Sequence, residues 1–253
     1  MGIRVLAADD DEFMRLILSN LLKESGYNFF IAEDGLDFMD EFTLKSYDII
    51  LLDINMPGLD GWDIIGNIRK VFPEPKRSIP VIALTGHKGD ELITRLKSSG
   101  FNYYLAKPFR RHDLDEAIRI CLGGKDGFIA IKSQEQKQDS LIDTSQLEQF
   151  AEGDKDFFNN IIETFLSSAP KTILNLRSMA YAGDWKGMKE ETHRFSPQLN
   201  FIGARLIADI VEEIEKELSK NPAKNIMMSL VETLDASVAE AMKRLILILN
   251  QAQ

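Results

Sequence analysis

The chain has 253 residues, 44% of them apolar and 28% charged, a balance that suits a globular protein with one or two cores and excludes a fibrous or disordered one. A formal net charge of −10 excludes a surface built to neutralise nucleic-acid phosphates, which needs clustered Lys and Arg. No apolar run reaches the ~20 residues of a membrane span, the N-terminus lacks a secretory layout, and the single cysteine, Cys121, has no partner for an internal disulfide; a cytoplasmic protein engaging neither nucleic acid nor membrane is expected.

Up to about Leu122, apolar runs of strand length alternate with helix-period segments, the pattern of a βαβ protein. Strands are expected near 3–8, 28–32, 47–53, 79–85 and 101–105, and helices near 11–25, 35–45, 61–72, 89–99 and 110–122. Gly26, Gly35, Gly100 and Pro108 punctuate the junctions. This succession predicts an α/β unit, a flavodoxin-like, doubly wound, five-stranded parallel sheet. Residues 123–142 are glycine-rich and then polar, which reads as a linker with Phe128-Ile129-Ala130-Ile131 as a short docking segment. Beyond Asp143 the strand signals stop, and helix-period stretches follow near 144–151, 155–182, 184–203, 205–220 and 223–250. Short connections such as Gly183-Asp184 and Asn221-Pro222 favour antiparallel neighbours, so residues 143–253 are expected to form an all-α helical bundle.

Four strand ends of the first half carry polar residues. The first expected strand ends in Asp9-Asp10-Asp11, the third in Asp53 followed by Asn55, the fourth in Thr85-Gly86 and the fifth in Lys107-Pro108. Ligands of open parallel sheets bind outside the carboxyl ends of the strands, so these groups are expected to converge. Carboxylates sharing one site repel, and a divalent cation removes that penalty. Mg²⁺ suits a few carboxylates plus water and phosphate oxygens. Asp10 and Asp53 are the natural side-chain ligands, with Asp9 helping directly or through water and the Asn55 backbone carbonyl completing the set. A strand-end carboxylate can also attack phosphorus, with Lys107 neutralising phosphoryl oxygens and Thr85 donating a hydrogen bond. Acidic residues after a strand also cap helices, a reading that stands beside the ligand one for Asp11 and for Asp9 alone. An aromatic such as Tyr104 on a terminal strand also serves surface packing, and His87 reads more simply as a solvated loop histidine than as a pocket residue.

Asp9-Asp10, Asp53 with Asn55-Met56-Pro57-Gly58 and Asp60-Gly61, Thr85, Tyr104 and Lys107-Pro108 match, in order and spacing, the receiver domain of two-component response regulators, which residues 1–122 resemble. The resemblance implies that Asp53 is the phosphoacceptor and that a sensor histidine kinase or another phosphohistidine protein is the donor. It also implies a switch pair, Thr85 moving toward the phosphate while the Tyr104 ring turns inward, and a cis Lys107–Pro108 bond.

In the second half Trp185, Met188, Thr192, Phe195, Leu199 and Ile202 recur every three or four residues as a buried stripe. His193 lies one residue off it, so its ring is expected to face solvent, where an imidazole is a capable phosphoryl acceptor. The stretch is similar to the histidine-phosphotransfer (HPt) family, helical bundles with an exposed His followed by a hydrophobic residue at +2, Lys at +3, Gly at +4 and Gly near +10. His193, Phe195, Gly203 and Ala204 match, whereas Ser196 replaces the lysine and Pro197 the first glycine. Pro197 cannot donate to the carbonyl of His193 and crowds it, so a kink or break is expected; Ser196-Pro197 even reads as the N-cap and first residue of a new helix. His193 is therefore a candidate phosphoacceptor, to be weighed against an exposed helical histidine without chemistry.

The leading expectation is a two-component signalling protein rather than an enzyme. It takes phosphate on Asp53 and either passes it through or regulates the HPt-like bundle, with another receiver or an output protein as a further partner and oligomerisation left open. The alternative is a degenerate bundle acting as a phosphorylation-controlled interaction or dimerisation module. A receiver-gated phosphatase ranks last, because residues 143–253 offer no paired carboxylates or metal-ligand spacing.

Overall fold

Val5–Ala8, Ile49–Leu52 and Val81–Leu84 are apolar without alternation, as expected of strands covered on both faces. The computed structural model, which describes residues 2–86, 90–123, 130–131, 141–151, 153–220 and 222–252, places them at the centre of one parallel sheet. The strands are β1 (Arg4–Ala8), β2 (Asn28–Ala32), β3 (Ile49–Asp53), β4 (Val81–Thr85), β5 (Tyr103–Ala106) and β6 (Ala130–Ile131), in the order β2-β1-β3-β4-β5-β6. The five expected strands are present in the flavodoxin-like order. β2 lies on one side of β1 and the later strands on the other, so a crevice opens at the switch between β1 and β3. β6 comes from the segment read as linker; Ala130 and Ile131 pair parallel with Tyr104 and Leu105. The rest of the expected docking segment and His87 lie outside the described residues.

Helices α1 (Glu12–Glu24), α2 (Gly35–Leu44), α3 (Gly61–Val71), α4 (Asp90–Ser99) and α5 (Arg111–Leu122) follow β1 to β5 in turn. Aspartates open three of them: Asp11, Asp34 and Asp60 each accept N–H groups of the first helical turn. Asp11 is thus a helix cap, the simpler of its two readings. One core joins Leu6, Ile50, Leu52 and Val81 of the sheet to Phe38, Phe42, Ile64, Ile68 and Leu96 of the helices. Gly61 is needed where α3 starts against β3, because a Cβ there would lie 2.4 Å from the Asp53 carbonyl oxygen.

The chain divides into two compact units, Met1–Gln134 and Glu135–Gln253. The second is helical: α6 (Ser145–Ala151), α7 (Lys155–Ala182), α8 (Trp185–Phe201), α9 (Arg205–Leu218) and α10 (Lys224–Ala252). Its buried face draws Ile161, Phe165 and Leu176 from α7, Phe195 and Leu199 from α8, Val211 and Ile214 from α9, and Val231 and Leu234 from α10. Phe165 and Phe195 stack with ring centroids 6.0 Å apart. Gly203, at φ +79°, turns the chain between α8 and α9. A Cβ there would meet the Asp143 carbonyl oxygen at 1.8 Å, and Asp143 donates its N–H to the Gly203 carbonyl at 3.2 Å.

One expectation is overturned. α8 runs as a single helix through Pro197, and no new helix starts at Ser196-Pro197. An interior proline costs a helix about 3 kcal/mol, and here the flanking residues outweigh it: Phe195, Gln198, Leu199 and Phe201 are all buried and hold the helix against its neighbours. Among the described residues no helix is long and apolar enough to cross a membrane.

Candidate functional site

Asp9 is the first residue past β1 and its carboxylate is almost wholly buried, as is Asp53 at the end of β3. Asp10 follows on the rim, and carboxylate oxygens of Asp9, Asp10 and Asp53 all lie within 4.8 Å of one another. Lys107, one residue past β5, reaches across the crevice; its Nζ lies 2.6 Å from Asp9 Oδ2 and 2.5 Å from Asp53 Oδ2. The remaining carboxylate oxygens are held by main-chain donors, Asp11 N–H to Asp9 Oδ1 at 3.1 Å and Asn55 N–H to Asp53 Oδ1 at 3.0 Å. Arg15 of α1, which sequence reasoning did not single out, donates from Nη1 to the Asp9 carbonyl at 2.9 Å.

Thr85 enters the same end of the sheet. Leu84 is the register partner of Asp53, so Thr85 stands one residue beyond it, fully buried, with its carbonyl accepting the Lys107 N–H at 2.7 Å. Tyr104 pairs with Ala83 in β5, and its side chain is buried in the core rather than laid on the surface. The Lys107–Pro108 bond is cis.

Lys107 bonds the carboxylates of Asp9 and Asp53, and that of Asp10 lies close to both. Burial pushes the Asp9 carboxyl up to about 7; Lys107 pulls it down, while Asp53 and Asp11 push it up. Burial also opposes the charge on Lys107, but its two carboxylate partners outweigh that, so the lysine stays protonated well above its ordinary range. A crevice of hard oxygen donors with surplus negative charge fits a small divalent cation, whose charge would relieve the repulsion.

The second unit differs from expectation at its histidine. His193 is part-buried, not turned fully to solvent. The stripe through Met188, Thr192, Phe195 and Leu199 is buried as predicted, but α8 is also covered behind it. Pro197 and, one turn on, Phe201 are buried, with the Phe201 ring 4.6 Å from that of Phe150 in α6. Close by, the Glu191 carboxylate is held by Asn175 at 3.1 Å and Arg194 at 2.7 Å. Glu215 of α9 bonds the Thr192 hydroxyl, and burial raises its pKa. Ser196 and Pro197, which follow His193 along α8, are part-buried and buried respectively.

Residues 5–119 match the response regulator receiver domain, and the chain belongs to that family. It is 34% identical over 118 residues to the chemotaxis protein CheY-3 of Vibrio cholerae, covering 46% of this chain and 89% of that one. It is 23% identical over 212 residues to the sensory/regulatory protein RpfC of Xanthomonas campestris, covering 82% of this chain. The chain spans 29% of the length of RpfC. Among solved structures it is similar to the receiver domain of the Pseudomonas aeruginosa sensor histidine kinase PA1611, which carries a magnesium ion in its active-site cleft. That likeness has 30% identity and a TM-score of 0.45, over 49% of this chain and all of that one.

Proposed function

We propose that this protein is a two-component phosphorelay component that accepts a phosphoryl group on Asp53 from a phosphohistidine donor such as a sensor histidine kinase. The observation that carries the reading is the bridge from Lys107 Nζ to Asp53 and Asp9 in a buried crevice with a surplus of carboxylate. An Asp53 oxygen attacks phosphorus as the phosphorus–nitrogen bond to the donor imidazole breaks. The bonding pair returns to the donor ring, which takes up a proton, and an acyl phosphate remains on Asp53. Lys107 is already placed to neutralise a phosphoryl oxygen, and the Thr85 hydroxyl donates to another. Mg²⁺ held by Asp10 and Asp53, with Asp9 and the Asn55 carbonyl, would offset the combined charge of carboxylates and phosphoryl group. The chain is then an acceptor that stores a signal, not a catalyst that turns over. Thr85 and Tyr104 form the switch pair: as Thr85 moves toward the phosphate, the buried position of the Tyr104 ring is stabilised and the surface of α4, β5 and α5 changes.

The helical unit is the HPt-like receiver of that signal, either as phosphocarrier through His193 or as a regulated module. In support, the similarity to RpfC runs over 212 residues, well beyond the 5–119 of the receiver match. A specific observation favours the second role. His193 is part-buried beside a buried Pro197, and Ser196 stands where the HPt pattern has a phosphate-binding lysine, which narrows the approach to the ring and removes one charge that would stabilise phosphohistidine. On that reading the bundle is an interaction or dimerisation module controlled by Asp53.

The test is phosphotransfer from a radiolabelled phosphohistidine kinase, with Mg²⁺, to wild type, Asp53→Ala and His193→Ala. Base-labile label should appear on wild type and His193→Ala and vanish in Asp53→Ala. Normal labelling of Asp53→Ala overturns the pocket assignment. Base-stable label lost in His193→Ala selects the carrier role, and its absence from wild type selects the interaction module.

A further inference from the structure

The acidic turn after β1 has a cation of its own besides Lys107. Asp9, Asp10, Asp11 and Glu12 are four consecutive acids that repel one another, and the end of the first turn of α1 carries Arg15 beside them. Helical side chains slant toward the N-terminus, which lets residue 15 reach back past the Asp11 cap to the main chain of residue 9. There its Nη1 donates to the Asp9 carbonyl at 2.9 Å, in a part-buried setting. That carbonyl belongs to the peptide joining Asp9 to Asp10, whose atoms lie in one plane. Every other polar group of Asp9 is tied as well: its N–H to the Ala32 carbonyl at 3.3 Å, Oδ1 by the Asp11 N–H at 3.1 Å and Oδ2 by Lys107 at 2.6 Å. The sheet thus holds the preceding peptide through the Asp9 N–H, the two carboxylate bonds fix the Asp9 side chain, and Arg15 holds the carbonyl of the Asp9–Asp10 peptide itself. From that plane the Asp10 side chain departs toward the other two carboxylates.

We propose that Arg15 is a positioning residue for cation binding: by fixing the Asp9–Asp10 peptide it places the Asp10 carboxylate within reach of those of Asp9 and Asp53, acting through the main chain without touching the cation. The inference rests on the reading of this crevice as a Mg²⁺ site. Two consequences of the guanidinium have opposite signs. Its charge alone would weaken binding of a divalent cation nearby, so losing it would tighten binding. Its hold on the peptide strengthens binding, so losing it loosens the site. The sign of the change therefore separates positioning from simple electrostatics.

The experiment is calorimetric titration of the full chain with Mg²⁺ for wild type, Arg15→Ala, Arg15→Met and Arg15→Lys, with Asp10→Ala as the pocket control and a thermal melt of each variant. Arg15→Ala and Arg15→Met should each raise the Mg²⁺ Kd about tenfold or more, as loss of a supporting hydrogen bond does at metal sites. Arg15→Lys, which keeps a donor of similar reach, should recover most of the affinity. Phosphorylation of Arg15→Met by phosphoramidate should need correspondingly more Mg²⁺ yet reach close to the wild-type rate at saturation. A variant that is merely less stable would bind fewer equivalents at unchanged Kd. Unchanged or tighter Mg²⁺ binding by both Arg15→Ala and Arg15→Met overturns the proposal while leaving the pocket reading intact. Absence of Mg²⁺ binding by wild type, or undiminished binding by Asp10→Ala, overturns the pocket reading and the proposal with it.

Discussion

Lys107 faces two buried carboxylates at once, at 2.5 and 2.6 Å, and its own charge is largely shielded from water. A buried ionic group of this kind contributes little net stability as a set, but removing one member leaves the others uncompensated. Lys107→Met should therefore destabilise the first unit by about 3 kcal/mol in chelator, read by urea denaturation. Mg²⁺ should restore more of that loss than it adds to wild type, because the cation takes over the neutralising role. Equal Mg²⁺ effects on the two proteins would show that the cluster does not hold the cation. The positions of Asp9, Asp53, Thr85 and Lys107 were legible because each ends an apolar run, and parallel strands place their carboxyl ends on one side of the sheet. Arg15 was not legible, since nothing local indicates that a helical arginine bonds a carbonyl six residues earlier. The same holds for the far side of α8, where the Phe201 ring is covered by Phe150 of α6, a contact that the spacing within the helix does not reveal.

At the level of helices, two glycines of α3 separate the roles of space and propensity. Gly66 sits in mid-helix with nothing within 4 Å of a built Cβ, whereas Gly61 would drive its Cβ to 2.4 Å from the Asp53 carbonyl oxygen and 2.7 Å from the Ile54 Cα. Gly66→Ala should raise stability by roughly 0.5–1 kcal/mol. Gly61→Ala should lower it by about 2 kcal/mol through overpacking against immovable backbone, and should weaken phosphorylation of Asp53 in the same protein. Thermal melts and phosphoramidate labelling of the two variants check both statements. Pro197 poses the opposite case, a residue ill-suited to the helix that contains it. Pro197→Ala restores the hydrogen bond to the His193 carbonyl, a gain of about 3 kcal/mol, against about 2 kcal/mol of lost ring burial, so a net rise near 1 kcal/mol is expected by denaturation. A fall in stability would mean that the buried ring packs better than it strains. Helix and strand positions were otherwise legible to within a residue or two, because apolar periodicity and Asp caps such as Asp11, Asp60 and Asp154 are local signals. The fate of Pro197 was not, since local chemistry favoured a break and long-range burial of Phe195 and Leu199 opposed it.

Across the molecule, the change in period near residue 123 marks two architectures, and the described residues divide near that point, into Met1–Gln134 and Glu135–Gln253. That division falls within residues 123–142, the stretch read as a linker, of which Ala130 and Ile131 add a short strand beside Tyr104 and Leu105. A short apolar pair in a polar stretch carries no record of the edge it will meet. What could be read directly from the residue order was the type and sequence of the elements, the doubly wound sheet followed by a bundle, and the inventory of groups at the strand ends. All of these depend on periodicity and on turn chemistry over a few residues. The bridge of Lys107 to Asp9 and Asp53, the elevated pKa of Asp9, the anchoring of its carbonyl by Arg15 and the part-burial of His193 emerged only with the folded chain. They depend on distances and desolvation between residues far apart in sequence, quantities that exist once the core has packed and not before.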